Sequence, residues 1–130
     1  MIPTEITLHQ KSCELEIAFD DGARYRLPYE FLRVNSPSAE VRGHGPGQEV
    51  LQVGKQNVLI RELAPVGQYS LKISFDDGHD SGLFTWEYLH NLGKHQAALW
   101  QDYLRQLHVA NASREPSAQA APAMHSGCGH

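Results

Sequence analysis

Long apolar runs, cysteines and an excess of positive charge are all scarce in this sequence. No apolar run approaches the roughly 20 residues that a transmembrane helix needs, and the first residues lack the basic and apolar regions of a secretory signal. The formal net charge is −4, which argues against a nucleic-acid or membrane-surface role because such surfaces attract basic patches. Only Cys13 and Cys128 are present, too few for a disulfide framework. We therefore expect a cytoplasmic protein.

The composition is that of one folded domain followed by a tail. The chain has 130 residues, 41% of them hydrophobic, which is enough to bury a core without disulfides or metal. Beyond Ala110 the sequence consists largely of Ala, Ser, Pro, Gln and Gly without periodicity. We expect a domain over residues 1–110 and a disordered tail over residues 111–130.

A duplicated stretch organises the domain. Leu15–Gly22 has the sequence LEIAFDDG, and Leu71–Gly78 has the sequence LKISFDDG. Alternating apolar residues before Asp-Asp-Gly predict a strand that enters a hairpin. A three-residue turn with a left-handed glycine places the apolar residues of both strands on one face. In the second copy this register sets His79 beside Phe75, where the first copy has Ala23.

The remaining patterns predict an α+β fold. The expected elements are strands at 4–8, 50–53, 58–63 and 69–75, a turn at 65–67, and helices at 29–34 and 86–92. The second helix has Thr85 as its N-cap and Gly93 as its stop. A longer amphipathic helix follows, with an apolar stripe of Ala97, Trp100, Leu104 and Leu107. We expect a mostly antiparallel sheet, built from two hairpin–helix repeats, with this C-terminal helix packed on one face.

Carboxylates and an imidazole are concentrated around the second turn, at Asp76, Asp77, His79 and Asp80. Such oxygen and nitrogen donors suit a divalent metal. In the alternative reading, Asp76 and Asp77 only form the turn, like the Asp-Asp pair of the first copy. The turn itself does not require an imidazole, so His79 is a candidate metal ligand or partner contact.

A glycine-rich loop occupies residues 35–48. Long irregular loops within a domain are usually functional or disordered. This loop lacks the Lys-Ser/Thr of a P-loop, so it is not predicted to cradle phosphate. Arg42 and His44 are candidate contacts, and His44 is also a tentative metal ligand. The Ser36 and Ser38 hydroxyls have no evident His–acid partners for a nucleophilic triad.

The last six residues contain two imidazoles and one thiol, at His125, Cys128 and His130. Soft and borderline metals prefer such donors. These three residues are tentative metal ligands, and the alternative is an incidental polar terminus.

Four motifs together resemble the DUF971 family, the small domain also found at the N-terminus of gamma-butyrobetaine hydroxylase. They are the run Ser36–Gly45, Pro65-Val66-Gly67-x-Tyr69, Phe75-x-Asp77-Gly78-His79-x-x-Gly82 and Trp86-x-Tyr88-Leu89. The resemblance covers roughly residues 3–107. It does not include the catalytic domain of the hydroxylases, so it implies no oxygenase activity.

The resemblance also implies a metal site that this chain has altered. In the hydroxylases the domain binds structural zinc through three Cys and one His. The three Cys positions correspond to Ser36, Ser38 and Val41 of this chain, and the His position corresponds to His79. A hydroxyl is a poor zinc ligand and Val is none, so the inherited site is expected to be lost and the loop to be held by serine hydrogen bonds.

Three functions follow as hypotheses. The first is a non-catalytic accessory domain that assists iron or iron–sulfur metabolism, because the resemblance extends to plastid P-loop iron–sulfur carrier proteins. Its partner would be such a carrier or a second copy of the chain, with Ser36, Ser38, Arg42, His44 and His79 as the partner-binding residues. The second is an iron- or zinc-binding protein that uses His79 and the His/Cys tail. The third is a small enzyme with His44 or His79 as base.

Overall fold

A computed structural model describes residues 1–43 and 47–116. Its elements are, in chain order, β1 (Pro3–His9), β2 (Glu14–Phe19), β3 (Arg24–Pro28), α1 (Tyr29–Val34), α2 (Ala39–Arg42), β4 (Ile60–Val66), β5 (Ser70–Phe75), β6 (Leu83–Thr85), α3 (Trp86–Lys94) and α4 (Gln96–Val109). The fold class is α+β, as predicted. The strands form two antiparallel sheets of three strands each, in the orders β1-β2-β3 and β4-β5-β6, where the sequence had suggested one sheet. Over the described residues, no helix has both the length and the apolar character that a membrane crossing requires.

The first hairpin has the predicted register. Leu15 pairs with Leu27 and Ile17 with Tyr25. The Phe19 N–H donates to the Ala23 carbonyl at 2.8 Å across the turn. Gly22 has a φ of 89°, a conformation that glycine adopts without a Cβ clash. The three-residue turn is therefore confirmed.

The second hairpin repeats this geometry and then departs from it. The Phe75 N–H donates to the His79 carbonyl at 2.9 Å, and the two rings lie 6.2 Å apart. The third strand of the first sheet begins immediately after the turn, at Arg24, whereas β6 begins only at Leu83. The chain between His79 and Leu83 therefore lies outside the strand ladder, and this short segment contacts the 36–40 loop.

The duplication extends to the strand that precedes each hairpin. The Asp20 N–H donates to the Ile2 carbonyl, and the Ile2 N–H donates back to the Asp20 carboxylate. Asp76 makes the same two bonds with Leu59. Each repeat is therefore a three-stranded unit followed by a helix, a longer unit than the hairpin and helix recognisable from the sequence.

One strand prediction and part of one turn prediction were wrong. Residues 50–53 form no strand, and the Val50 N–H instead donates to the Val41 carbonyl beside the glycine-rich loop. The predicted turn at Pro65 and Val66 belongs to β4. Proline is tolerated there because β4 is an edge strand, whose outer N–H groups pair with no neighbour.

The predicted helices are present, and one of them, α3, ends later than predicted. Thr85 caps α3 by accepting a hydrogen bond from the Tyr88 N–H at 3.0 Å. The helix continues through Gly93 to Lys94, so the predicted stop at Gly93 was wrong. A methyl group on Gly93 would overlap the Tyr25 ring. The glycine therefore allows α3 to approach the first sheet closely.

The core joins both repeats. Its buried side chains come from β2, β3, α1, β4, β5, β6 and α3, and α4 packs against it through Leu99 and Trp100. Of the predicted α4 stripe, Leu107 is buried, Trp100 and Leu104 are partly buried, and Ala97 is exposed. Tyr103, which the predicted stripe did not include, is also buried.

The folded part extends beyond the boundary predicted at Ala110. Ser113 and Arg114 accept backbone hydrogen bonds from Gly54 and Gln56 at 3.0 Å. The Arg114 guanidinium donates to both oxygens of the buried Glu30 carboxylate, at 2.7 and 2.8 Å. Residues 112–116 are consequently part of the domain.

Candidate functional site

A short helix brings two serines and a glutamate together in the loop that follows α1. Ser38 is the N-cap of α2, and its hydroxyl accepts a hydrogen bond from the Glu40 N–H at 3.1 Å. Ser at an N-cap satisfies a backbone donor that the first helical turn leaves unpaired. Ser36 lies two residues before the cap. This local structure turns the Ser36 and Glu40 side chains toward the second hairpin.

Five side chains from the loop and the hairpin form a closed hydrogen-bonded cluster, which we call the polar ring. His79 Nε2 lies 2.8 Å from Ser36 Oγ, and His79 Nδ1 lies 3.2 Å from a Glu40 oxygen. The Ser81 hydroxyl donates to the other Glu40 oxygen at 3.1 Å and lies 2.7 Å from the Ser38 hydroxyl. The Ser38 backbone N–H donates to Ser36 Oγ at 3.3 Å and completes the ring.

The inner half of the polar ring is sealed from solvent. Ser36 is 0% exposed and His79 is 5% exposed. A methyl group on Gly82 would overlap Ser36 Oγ, so the backbone of Gly82 covers the hydroxyl. Glu40 forms the outer half, with 68% of its side chain exposed. The ring therefore runs from the protein interior to the surface.

Burial and a neighbouring cation keep His79 uncharged. Burial lowers the pKa of its imidazole, and the positive charge of Arg33 lowers it further. Glu40 and Asp77 act in the opposite direction and do not compensate. At neutral pH the ring thus contains a neutral imidazole beside a carboxylate.

A cluster of three charged side chains supports the turn from the other side. Arg33 Nε donates to the Asp77 carboxylate at 2.9 Å, and Lys55 Nζ donates to the same oxygen at 2.8 Å. Burial opposes ionisation of Asp77, but the Lys55 hydrogen bond and the Arg33 charge outweigh it and lower the pKa of the carboxyl. The other Asp77 oxygen accepts from the His79 N–H, as expected for a turn former.

The hydroxyl, imidazole and carboxylate have the connectivity of a serine-hydrolase triad. The sequence gives no sign of this, and the expectation that Ser36 lacks His–acid partners was wrong: His79 and Glu40 are those partners. A nucleophile must reach its substrate, however, and the Ser36 hydroxyl is sealed. The arrangement as it stands orders the loop, and chemistry at Ser36 would require Gly82 to move away.

The zinc site implied by the resemblance does not fit these residues. His79 Nε2 is occupied by the Ser36 hydroxyl and Nδ1 by Glu40, so neither nitrogen is free to bind a metal. Val41 is buried and offers no donor atom. Within the described part of the chain, no three His, Cys, Asp or Glu side chains are grouped to hold a metal ion. The serine hydrogen bonds expected in place of the zinc are present.

The other predicted site residues lie apart from the polar ring or outside the described residues. The Arg42 guanidinium donates to the Tyr88 hydroxyl and lies 5.6 Å from that ring's centroid, so it packs against the domain. His44, His125, Cys128 and His130 lie outside the described residues. Sequence reasoning did not identify Glu40 and Ser81, which belong to the ring; the capping pattern Ser-x-Glu was the one signal available for Glu40.

The comparisons with known proteins identify the family. The family model described as gamma-butyrobetaine hydroxylase-like, N-terminal, matches residues 6–90. The chain belongs to this family. A crystal structure from Acidithiobacillus ferrooxidans, of a protein of unknown function in the DUF971 family, is 38% identical, with a TM-score of 0.59 over 70% of this chain and 91% of that one.

Two relatives of this gamma-butyrobetaine hydroxylase-like domain have been solved by NMR in solution. The first is 52% identical, with a TM-score of 0.77 over 95% of this chain and 97% of its own. The second is 48% identical, with a TM-score of 0.76 over 96% and 93%. A comparison with curated proteins found no match. The family and the fold are therefore established.

Proposed function

We propose that this gamma-butyrobetaine hydroxylase-like domain is a non-catalytic cytoplasmic accessory protein that binds a protein partner in iron or iron–sulfur metabolism. The observation that carries the proposal is the sealed Ser36–His79 pair. It withholds its hydroxyl and imidazole from any substrate, yet it joins two surface segments into one rigid unit. A rigid surface loses little conformational entropy when it binds a partner.

The binding face consists of the exposed residues that the polar ring positions, namely Glu40, Asp80 and Ser81. Ser36, Ser38 and His79 were predicted to contact the partner, but their burial prevents direct contact and gives them a positioning role instead. Arg42 likewise packs inward. The exposed carboxylates make the face acidic, which favours a partner with a basic surface.

The iron–sulfur assignment depends on the resemblance to domains appended to P-loop iron–sulfur carrier proteins. If an appended domain serves its own carrier, a separate domain of the same family is suited to serve a carrier in trans. We therefore expect a P-loop iron–sulfur carrier to be the partner.

Charge reversal on the face tests the proposal. The Asp80 side chain is 59% exposed, and its carboxylate lies as far as 4.0 Å from Lys72 Nζ. Asp80→Lys should therefore leave the fold intact. We expect it to weaken binding of a purified P-loop iron–sulfur carrier about tenfold, measured by surface plasmon resonance. Glu5→Lys is the matched control, because it reverses one charge and removes one exposed ion pair on the first sheet.

Three results would count against the proposal. Absence of carrier binding would remove the iron–sulfur assignment, and equal weakening by both variants would remove the assigned face. Labelling of Ser36 by a fluorophosphonate probe, detected by peptide mass spectrometry, would instead establish an activated serine and an enzyme. We expect no adduct at Ser36.

A further inference from the structure

The hydrogen bonds of the polar ring have a single possible direction. An exposed carboxylate is ionised at neutral pH and can only accept hydrogen bonds. His79 Nδ1 must therefore carry the proton that it shares with Glu40. In the neutral imidazole Nε2 is then an acceptor, so the Ser36 hydroxyl donates to it.

The donors and acceptors of the other hydrogen bonds in the polar ring can be assigned in the same way. The Ser81 hydroxyl proton is committed to Glu40, so the Ser38 hydroxyl must donate to Ser81 Oγ. The Ser38 backbone N–H donates to Ser36 Oγ, whose own proton is used at His79. Every side-chain proton in the ring has one acceptor, and all donors lead to the Glu40 carboxylate.

The ring connects parts of the chain that are far apart in the sequence. Ser36 and His79 are separated by 43 positions, and the ring joins them inside the domain. A structural metal ion would serve the same purpose by binding ligands from both segments. The ligands that the resemblance implies for zinc include Ser36, Ser38 and His79, which are three of the five ring members.

We infer that the polar ring is a metal-free clamp, in which hydrogen bonds directed toward Glu40 replace a bound metal ion as the cross-link between the 36–40 loop and the second hairpin. This inference does not depend on the proposed function, because it concerns how the two segments are joined and not what they bind.

The tautomer of His79 gives a direct test. Nitrogen-15 NMR of the imidazoles in the full chain, with the His79 signal assigned by its loss in His79→Gln, should show a proton on Nδ1 and none on Nε2 at pH 7.5. Glu40→Gln should disturb the preference for a proton on Nδ1, because the side-chain amide of Gln can also donate a hydrogen bond to the imidazole. A proton on Nε2, or a metal-bound nitrogen, would overturn the inference.

Thermal unfolding tests the clamp itself. Ser36→Ala should lower the Tm by about 4–12 °C, because it leaves the buried Nε2 of His79 without its hydrogen-bond donor. Ser36→Ala combined with His79→Gln should lower the Tm by less than the sum of the single changes, since both break the same ring. Additive effects, or a Tm unchanged by Ser36→Ala, would show that the ring is no clamp.

Restoring the thiols tests the replacement of a metal. The wild-type Tm should not change when EDTA is added. The wild type and His79→Gln should contain the same amount of zinc. The variant S36C/S38C/V41C should bind one zinc ion per chain, and H79A in that background should abolish the binding. Zinc in the wild type that disappears with His79→Gln would overturn the inference, and so would a triple variant that gains no zinc.

Discussion

At the scale of single residues, the burial of His79 makes the stability of the protein depend on pH. Its imidazole is buried against Ser36, Glu40, Arg33 and Asp77, and the pKa is lowered chiefly by that burial. In the unfolded chain the imidazole regains its usual pKa of about 6.5. The unfolded state therefore binds the proton more readily than the folded state does. The resulting contribution to stability is complete above about pH 6.5 and is lost as the pH falls through the folded-state pKa.

A comparison of pH profiles checks this assignment. The free energy of unfolding of the wild type should fall more steeply between pH 7.5 and 5.5 than that of His79→Gln, because Gln does not titrate. Urea unfolding at several pH values measures both curves. The variant is expected to be less stable at every pH, so the comparison depends on the slopes alone. Parallel curves would show that another group accounts for the pH dependence.

At the scale of elements, the contact between α3 and β3 depends on the absence of a side chain. Gly93 lies inside α3, where glycine costs about 1 kcal/mol relative to Ala. Glycine is nevertheless required at this position, because a methyl group would overlap the Tyr25 ring. Close packing, and not helix termination, explains the glycine.

Gly93→Ala should therefore destabilise the protein by about 1–2 kcal/mol, since overpacking outweighs the gain in helix propensity. The same change in a Tyr25→Ala background should be neutral or stabilising by up to about 1 kcal/mol, because the overlap is gone. Chemical denaturation of the four proteins in this cycle measures both effects. Loss of stability in both backgrounds would mean that the Tyr25 ring is not the obstacle.

At the scale of the whole molecule, residues 112–116 after α4 contact the first repeat. Arg114 binds the Glu30 carboxylate with two hydrogen bonds and lies 5.2 Å from the Trp100 ring centroid. Glu30 is only 7% exposed, so removal of Arg114 would leave a buried carboxylate without these two donors. Backbone bonds to Gly54 and Gln56 also attach the segment to the irregular chain before β4.

Arg114→Met keeps the apolar stem over Trp100 and removes the partner of Glu30. We expect a loss of about 1–3 kcal/mol, the usual cost of an unsatisfied buried polar group. Arg105→Met is the control, because its ion pair with Asp102 is exposed and should contribute little to stability. Denaturant unfolding of both variants provides the measurement. Equal losses would contradict a specific role for the Arg114 segment.

The sequence by itself determined the local structure of this protein. The hairpin register followed from alternating apolar residues and the Asp-Asp-Gly turn, since each strand residue's face depends on its position along the strand. Helix α1 has the predicted bounds, and α3 begins where Thr85 indicated. These features arise from interactions between residues close in the chain, and such interactions can be inferred from spacing.

Only the tertiary structure decided the site and the exceptions to the local rules. The Val50–Val53 pattern is typical of a strand, but no strand among residues 1–43 and 47–116 pairs with it. Gly93 resembles a helix stop until its distance from the first sheet is known. Ser36 and His79 meet across 43 positions of the sequence, and the Gly82 backbone covers the hydroxyl. The choice between a metal ligand and a neutral hydrogen-bonded imidazole depends on burial and on partners distant in the sequence, and spacing along the chain carries no information about either.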